Sequence, residues 1–171
     1  TVEPSIFSKS FDDLFVLMQK VTQHKDFTDD NIREMGFEVI TTLVERKKKL
    51  FDDTNRMKSF IEELFKYSLE MDEEITEEWA VPKGDAYFDE DVVTEEKVAS
   101  SLSFLERLLE IFSSKKILPV VSTIVFELLN TNTNDFRFKY IAITSISNML
   151  DYVDDMKEVE PIIDVSLFIL H

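Results

Sequence analysis

A chain of 171 residues that holds two glycines and four prolines has few places to turn sharply. Together these residues fill 6 of 171 positions, against a usual share of roughly 12%. Sandwiches and barrels need turn formers at every hairpin, so the shortage argues against them and removes glycine-rich phosphate loops. Long helices joined by few connections remain. Apolar residues make up 44% of the chain, fifteen of them Phe, which is enough for a sizeable core and excludes wholesale disorder. There is no cysteine, so disulfide scaffolds, thiolate zinc sites, iron–sulfur centres and Cys nucleophiles are excluded.

The apolar spacing is helical nearly throughout. Phe11, Leu14, Phe15, Met18 and Val21 fall on one stripe at 3- and 4-residue steps. A second stripe joins Ile32, Met35, Gly36, Val39, Ile40, Leu43 and Val44, behind a cap at Asp29 or Asp30. It closes on Arg46-Lys47-Lys48-Lys49, read as a basic last turn that complements the helix dipole. A third helix starts near Thr54 and buries Met57, Phe60, Ile61, Leu64, Phe65 and Leu69. A fourth starts at Thr94-Glu95-Glu96-Lys97 and carries Val98, Leu102, Leu105, Leu108, Leu109 and Phe112. A fifth is expected from about Lys116 to Asn130, with Pro119 in its first turn, where a missing N–H costs little. A sixth spans roughly 134–152, and a seventh begins near Met156. The β-branched run Val120-Val121-Ser122-Thr123-Ile124-Val125 could pass for a strand, but it lacks a partner of comparable quality. The expected fold class is all-α.

A repeat runs through these helices. Asp29, Ile32, Arg33, Gly36, Ile40 and Leu43 are matched at identical spacing by Asp135, Phe138, Lys139, Ala142, Ile146 and Met149. A degenerate copy fits Thr94, Lys97, Val98, Ser101, Leu105 and Leu108. The starts lie 65 and 41 residues apart, and the longer interval contains the break after Met71. Two helices per unit of ~40–47 residues belong to helical solenoids of the HEAT and armadillo kind. The expectation is a right-handed α-solenoid of about three and a half helix pairs. The shared small residue lets helices approach closely, and the Asp satisfies orphan amides or pairs with a base of the adjacent repeat.

Charge is concentrated in one stretch. The chain has 35 acids against 19 bases, net −16. Residues 70–96 hold twelve of those acids and a single base, Lys83. An acidic chain repels phosphate backbones, so binding to nucleic acid and to anionic membranes is disfavoured, and no apolar run reaches membrane-span length. The acidic interruption, 72–92, falls between the two helices of one repeat and includes Trp79, Tyr87, Phe88, Pro82 and Gly84. It reads either as a solvated spacer or as an arm that docks on a basic partner, with Trp79 and Phe88 as anchors. The lone Trp within the most charged loop favours the arm. Asp85 to Asp91 lacks the alternating ligands, central Gly and closing Glu of an EF-hand.

Nothing points to catalysis. His24 and His171 lie far from any nucleophile in sequence, and Ser100, Ser101 and Ser103 sit on a helix without nucleophile-elbow glycines. Carboxylate pairs are unavoidable with 35 acids. No enzyme, no cofactor and no metal is expected.

Three stretches carry a family likeness: 37–45 (Phe-Glu-Val-Ile-Thr-Thr-Leu-Val-Glu); Met71-Asp72-Glu73-Glu74 to Glu77-Glu78-Trp79; and Ile117-Leu118-Pro119-Val120-Val121 followed by 134–140 (Asn-Asp-Phe-Arg-Phe-Lys-Tyr). In order and spacing they resemble the importin-β superfamily of nuclear transport receptors, in its karyopherin-β3 (importin subunit beta-3) branch, from about residue 10 onward. In that family the last stretch usually reads Asp-Trp-basic-Tyr-Arg; here Phe136 and Phe138 replace the aromatics and Lys139 the Arg. The resemblance implies a mid-receptor HEAT segment, 1–171, of a larger protein moving between cytoplasm and nucleus and, in transit, at the nuclear envelope. It implies protein transport into the nucleus, with Ran-GTP competing against basic cargo and nucleoporin Phe-Gly repeats bound by the whole receptor. Ran or a basic partner would meet Asp72, Glu73, Glu74, Glu77, Glu78, Trp79, Asp89, Glu90 and Asp91 of the insertion. The inner helices would offer cargo Glu34, Glu38, Thr41 and Glu45. The alternative is a HEAT or armadillo scaffold or adaptor subunit with no transport role. The chain opens on Thr1 and ends in an apolar helical run, as a cut-out piece would, so exposed apolar faces and self-association are expected.

Overall fold

A computed structural model describes residues 10–24, 30–71, 96–131, 135–153 and 157. Six α-helices and no strand occur among them: α1 (Phe11–Gln23), α2 (Asp30–Arg46), α3 (Thr54–Ser68), α4 (Glu96–Ile111), α5 (Ser114–Leu129) and α6 (Phe136–Leu150). A 3-10 turn, Lys48–Phe51, joins α2 to α3. The all-α expectation holds, and the β-branched run from Val120 to Val125 lies inside α5. The cap at Asp29 and the seventh helix fall outside the described residues. Aspartates start two of the helices. Asp53 accepts from the Asn55 amide at 2.9 Å and Asp135 from the Arg137 amide at 3.0 Å, each cap stabilising its helix by about 1 kcal/mol.

Polar contacts give the order and direction of the helices. Arg33 of α2 reaches the Thr22 carbonyl of α1, and Ser101 of α4 reaches the Leu64 carbonyl of α3, so each pair is antiparallel. Between pairs the direction is the same. Gln19 donates to Ser59 and Gln23 to Glu63, which sets α1 parallel to α3; Lys116 meets Asp52 and Lys58 meets Glu127, which ties α3 to α5. In the second layer Phe37 of α2 packs on Phe104 of α4, and Asn148 of α6 donates to Glu106 of α4. Odd helices therefore form one layer and even helices the other.

Aromatic side chains fill the space between the layers. Phe37 is fully buried, with ring centroids of Tyr67, Phe104 and Phe60 at 5.5, 5.8 and 5.9 Å. Phe51, on the 3-10 turn, touches Phe60, Phe15 and Phe112 at 5.6 to 6.4 Å. The three small residues of the repeat, Gly36, Ser101 and Ala142, are all buried. A Cβ on Gly36 would stand 2.9 Å from Thr22 Cγ2 and 3.5 Å from the Met18 carbonyl oxygen, so α1 and α2 approach closely because this side chain is missing.

Two readings from periodicity need correction. Ile32 and Met35 are exposed, whereas α2 buries Arg33, Gly36, Phe37, Ile40, Thr41 and Val44, a face rotated from the predicted stripe. The helix is gripped by α1, α3 and α4 together, so its buried arc is broader than an apolar stripe, and two polar side chains lie within it. Pro119 is the other case. Because α5 starts at Ser114, Pro119 sits in the second turn and not the first. The proline removes the donor for the Lys115 carbonyl, and both residues lie on the exposed side, where water can serve that oxygen.

Candidate functional site

The residues on either side of the acidic interruption are held by one cluster. Arg33 enters it from α2, with its side chain almost wholly buried. Its Nε donates to the Thr22 carbonyl at 2.7 Å, while Nη1 and Nη2 donate to the two Glu70 oxygens at 2.5 and 3.3 Å. The guanidinium also lies 4.7 Å from the Tyr67 ring centroid, within cation–π range. Tyr67 donates its hydroxyl to Glu34 at 3.2 Å, and Lys97 Nζ, from the first turn of α4, donates to the Glu70 carbonyl at 3.3 Å. Glu70, just before the acidic interruption, and Lys97, just after it, thus lie in the same group of side chains. Glu70, counted from sequence with the acidic stretch, belongs instead to the helical body.

A second cluster lies on the even layer. Glu38, Thr42 and Glu45 are spaced at i, i+4 and i+7, which places them along one side of α2. Arg107 of α4 reaches across to all three. Its Nη1 and Nη2 meet Glu38 at 2.6 and 3.1 Å, Nε meets Glu45 at 2.6 Å, and Nη2 lies 3.4 Å from the Thr42 hydroxyl. Thr42 itself donates to Glu38 at 2.8 Å. Hydrogen bonding from Arg107 holds the Glu38 carboxyl below its usual range, and donating to Glu45 and Glu38 pushes the Arg107 pKa up. Further along this layer burial raises the Tyr152 pKa, assisted by Glu110, Glu106 and Asp151.

The lowered Glu38 value has a pH consequence. A carboxyl whose folded-state pKa is depressed contributes stability above its ordinary pKa and loses that contribution as pH falls through the lowered value. Urea unfolding at pH 7 and near pH 3 should therefore show a smaller acid loss for Glu38→Gln than for the parent. Equal losses would mean that the Glu38–Arg107 contact is not maintained in solution.

The four residues expected on a cargo-binding face have different fates. Glu34 is half-buried and bonded to Tyr67; Glu38 and Glu45 are exposed but engaged by Arg107. Thr41 is a correction: it is fully buried and donates to the Phe37 carbonyl at 2.9 Å, so it offers no surface to a partner. Asp72, Glu73, Glu74, Glu77, Glu78, Trp79, Asp89, Glu90 and Asp91 lie outside the described residues. Arg33, Arg107, Tyr67 and Lys97 organise both clusters, yet none was singled out from sequence as a site residue. Arg33 and Lys97 carry a trace there, each as a member of a repeat copy. Arg107 lies 62 residues from Glu45, and no local pattern announces a pairing over that distance.

Among the described residues no group of three or more His, Asp or Glu is arranged to hold a metal, and no helix is long and apolar enough to cross a membrane. Comparison with protein-family models, curated proteins and solved structures returns no match.

Proposed function

We propose that this chain is a segment of a right-handed HEAT-type solenoid from a nuclear transport receptor of the importin-β class, binding Ran-GTP and basic cargo. One observation carries the reading. The α1–α2 and α3–α4 pairs pack antiparallel and side by side, and the residues that flank the most acidic stretch, Glu70 and Lys97, are held in one cluster. A −16 chain with twelve of its 35 acids in one stretch attracts basic segments and speeds their encounter. The three stretches that resemble karyopherin-β3 supply the particular partners. Their share of the argument is confined to sequence.

The test is a titration against Ran-GTP and Ran-GDP at two salt concentrations, with a variant in which Asp72, Glu73, Glu74, Glu77 and Glu78 are neutralised. GTP-selective binding is expected, weaker at the higher salt and weakened by about tenfold or more in the variant. Binding that ignores the nucleotide or the five acids would refute the reading.

A second reading, a HEAT or armadillo scaffold or adaptor, is favoured by the commitment of Glu38 and Glu45 to Arg107, which leaves these acids less available to cargo. It expects proteolysis within 72–92 to proceed at the same rate with and without Ran-GTP.

A further inference from the structure

The two arginine clusters differ in how firmly they are held. The Arg33 side chain is 4% exposed and that of Glu70 22%, whereas Arg107 is 25% exposed, Glu45 37% and Glu38 52%. Exposed ion pairs contribute little to stability, because water and salt compete for both partners. Arg107 therefore acts toward α2 as a ligand supplied by α4, and a cation from outside the fold can take its place at small cost.

The acceptors decide what such a cation must look like. Glu38 and Glu45 are rooted two turns apart, about 10 Å along the axis of α2. One guanidinium closes that gap by giving Nη1 and Nη2 to Glu38 and Nε to Glu45, with the Thr42 hydroxyl between them. A lysine ammonium is a compact point charge without that fork, so it meets one carboxylate and not both. Further acids border the site: Glu106 and Glu110 on α4 and Asp151 at the end of α6, whose charges all act on Tyr152. Arg107 offsets one charge of the Glu38–Glu45 pair and leaves the site net negative.

We propose that Glu38, Thr42 and Glu45 form a receptor for an arginine of a basic partner segment, and that Arg107 occupies it as a built-in competitor. The inference rests on the basic-partner reading above and adds to it a selectivity and a control. With Arg107 in place the receptor is open for only a fraction of the time, and the affinity for an incoming arginine is lowered by that fraction. A lysine-bearing segment gains little from the site, open or closed. Arginine over lysine is thus the selectivity of this face.

The test is a fluorescence-anisotropy titration with two dye-labelled peptides, one of alternating Arg and Ala, the other of alternating Lys and Ala. Arg107→Ala should bind the arginine peptide about fivefold more tightly than the parent, while the lysine peptide changes by less than about twofold. Lys115→Ala removes an exposed charge at the start of α5 and should leave both affinities within about twofold. Adding Glu38→Gln and Glu45→Gln to Arg107→Ala should abolish the gain. The acids of 72–92 are present in every protein, so their share cancels in each ratio. Circular dichroism checks helical content. Arg107→Lys keeps the net charge but cannot bridge both carboxylates, and it should show the same preference in smaller measure. An Arg107→Ala variant that binds the arginine peptide no tighter than the parent would overturn the proposal, as would a gain that survives loss of both carboxylates. Neither Ran nor nucleotide enters this titration, so a gain seen beside a failed Ran titration would refute the receptor reading and leave this site standing.

Discussion

Replacing Phe37 by Ala should cost about 4 kcal/mol, the largest loss expected from any single truncation in this chain. The ring is fully buried between α2, α3 and α4, where it meets Phe60, Tyr67 and Phe104. Its removal loses the transfer energy of a whole aromatic side chain and leaves a cavity that three helices would have to shift to fill. Each aromatic pair adds roughly 0.5–1.5 kcal/mol beyond area burial, which favours the upper part of the range. In a chain of this size the melting temperature should fall by about 8–16 °C. Leu17→Ala, at an exposed site on α1, should change stability by less than about 0.5 kcal/mol and serves as the reference. Urea unfolding of the two variants beside the parent decides the matter. A Phe37→Ala loss near 1 kcal/mol would mean that the aromatic cluster is not packed as described.

The second large effect is expected at Arg33. Its guanidinium is almost wholly buried and its partners come from two helical regions: the Thr22 carbonyl on α1, and the Tyr67 ring and Glu70 carboxylate at the end of α3. Arg33→Ala removes the charge while Glu70 stays partly buried without it, and deleting one member of a buried pair costs roughly 3–5 kcal/mol. Glu70 keeps some access to water, so a value near the lower end, about 3 kcal/mol, is expected. The double variant Arg33→Ala with Glu70→Gln should recover part of that loss, because the orphaned charge is gone. Full additivity of the two single changes would show that the residues do not act as a pair.

Much of the architecture is legible in the sequence. Scarce turn formers and 3- to 4-residue apolar steps announced helices, and the small residue at Gly36, Ser101 and Ala142 marked where they approach. The face of α2 was misread because amphipathic periodicity counts only apolar residues, while this helix buries Arg33 and Thr41 and exposes Ile32 and Met35. The start of α5 was placed two residues late because Pro119 suggested a first turn. The clusters around Arg33 and Arg107 were not legible. Arg33 and Glu70 are 37 residues apart and Arg107 and Glu38 are 69 apart, and such pairings depend on how helix pairs stack. The nine insertion residues expected to meet Ran or a basic partner rest on sequence alone.

The pinned base beneath the acidic stretch also bears on chain length. Lys97 Nζ stands 3.3 Å from the Glu70 carbonyl oxygen, so the two flanks of the acidic stretch are held together by packed helices. Closing a longer loop between fixed ends is cheap, about 0.6 kcal/mol for each doubling of length. This junction can therefore absorb insertions and deletions at small cost. Related chains should differ most in length here, and a foreign segment grafted between Met71 and Glu96 should leave the helix pairs standing.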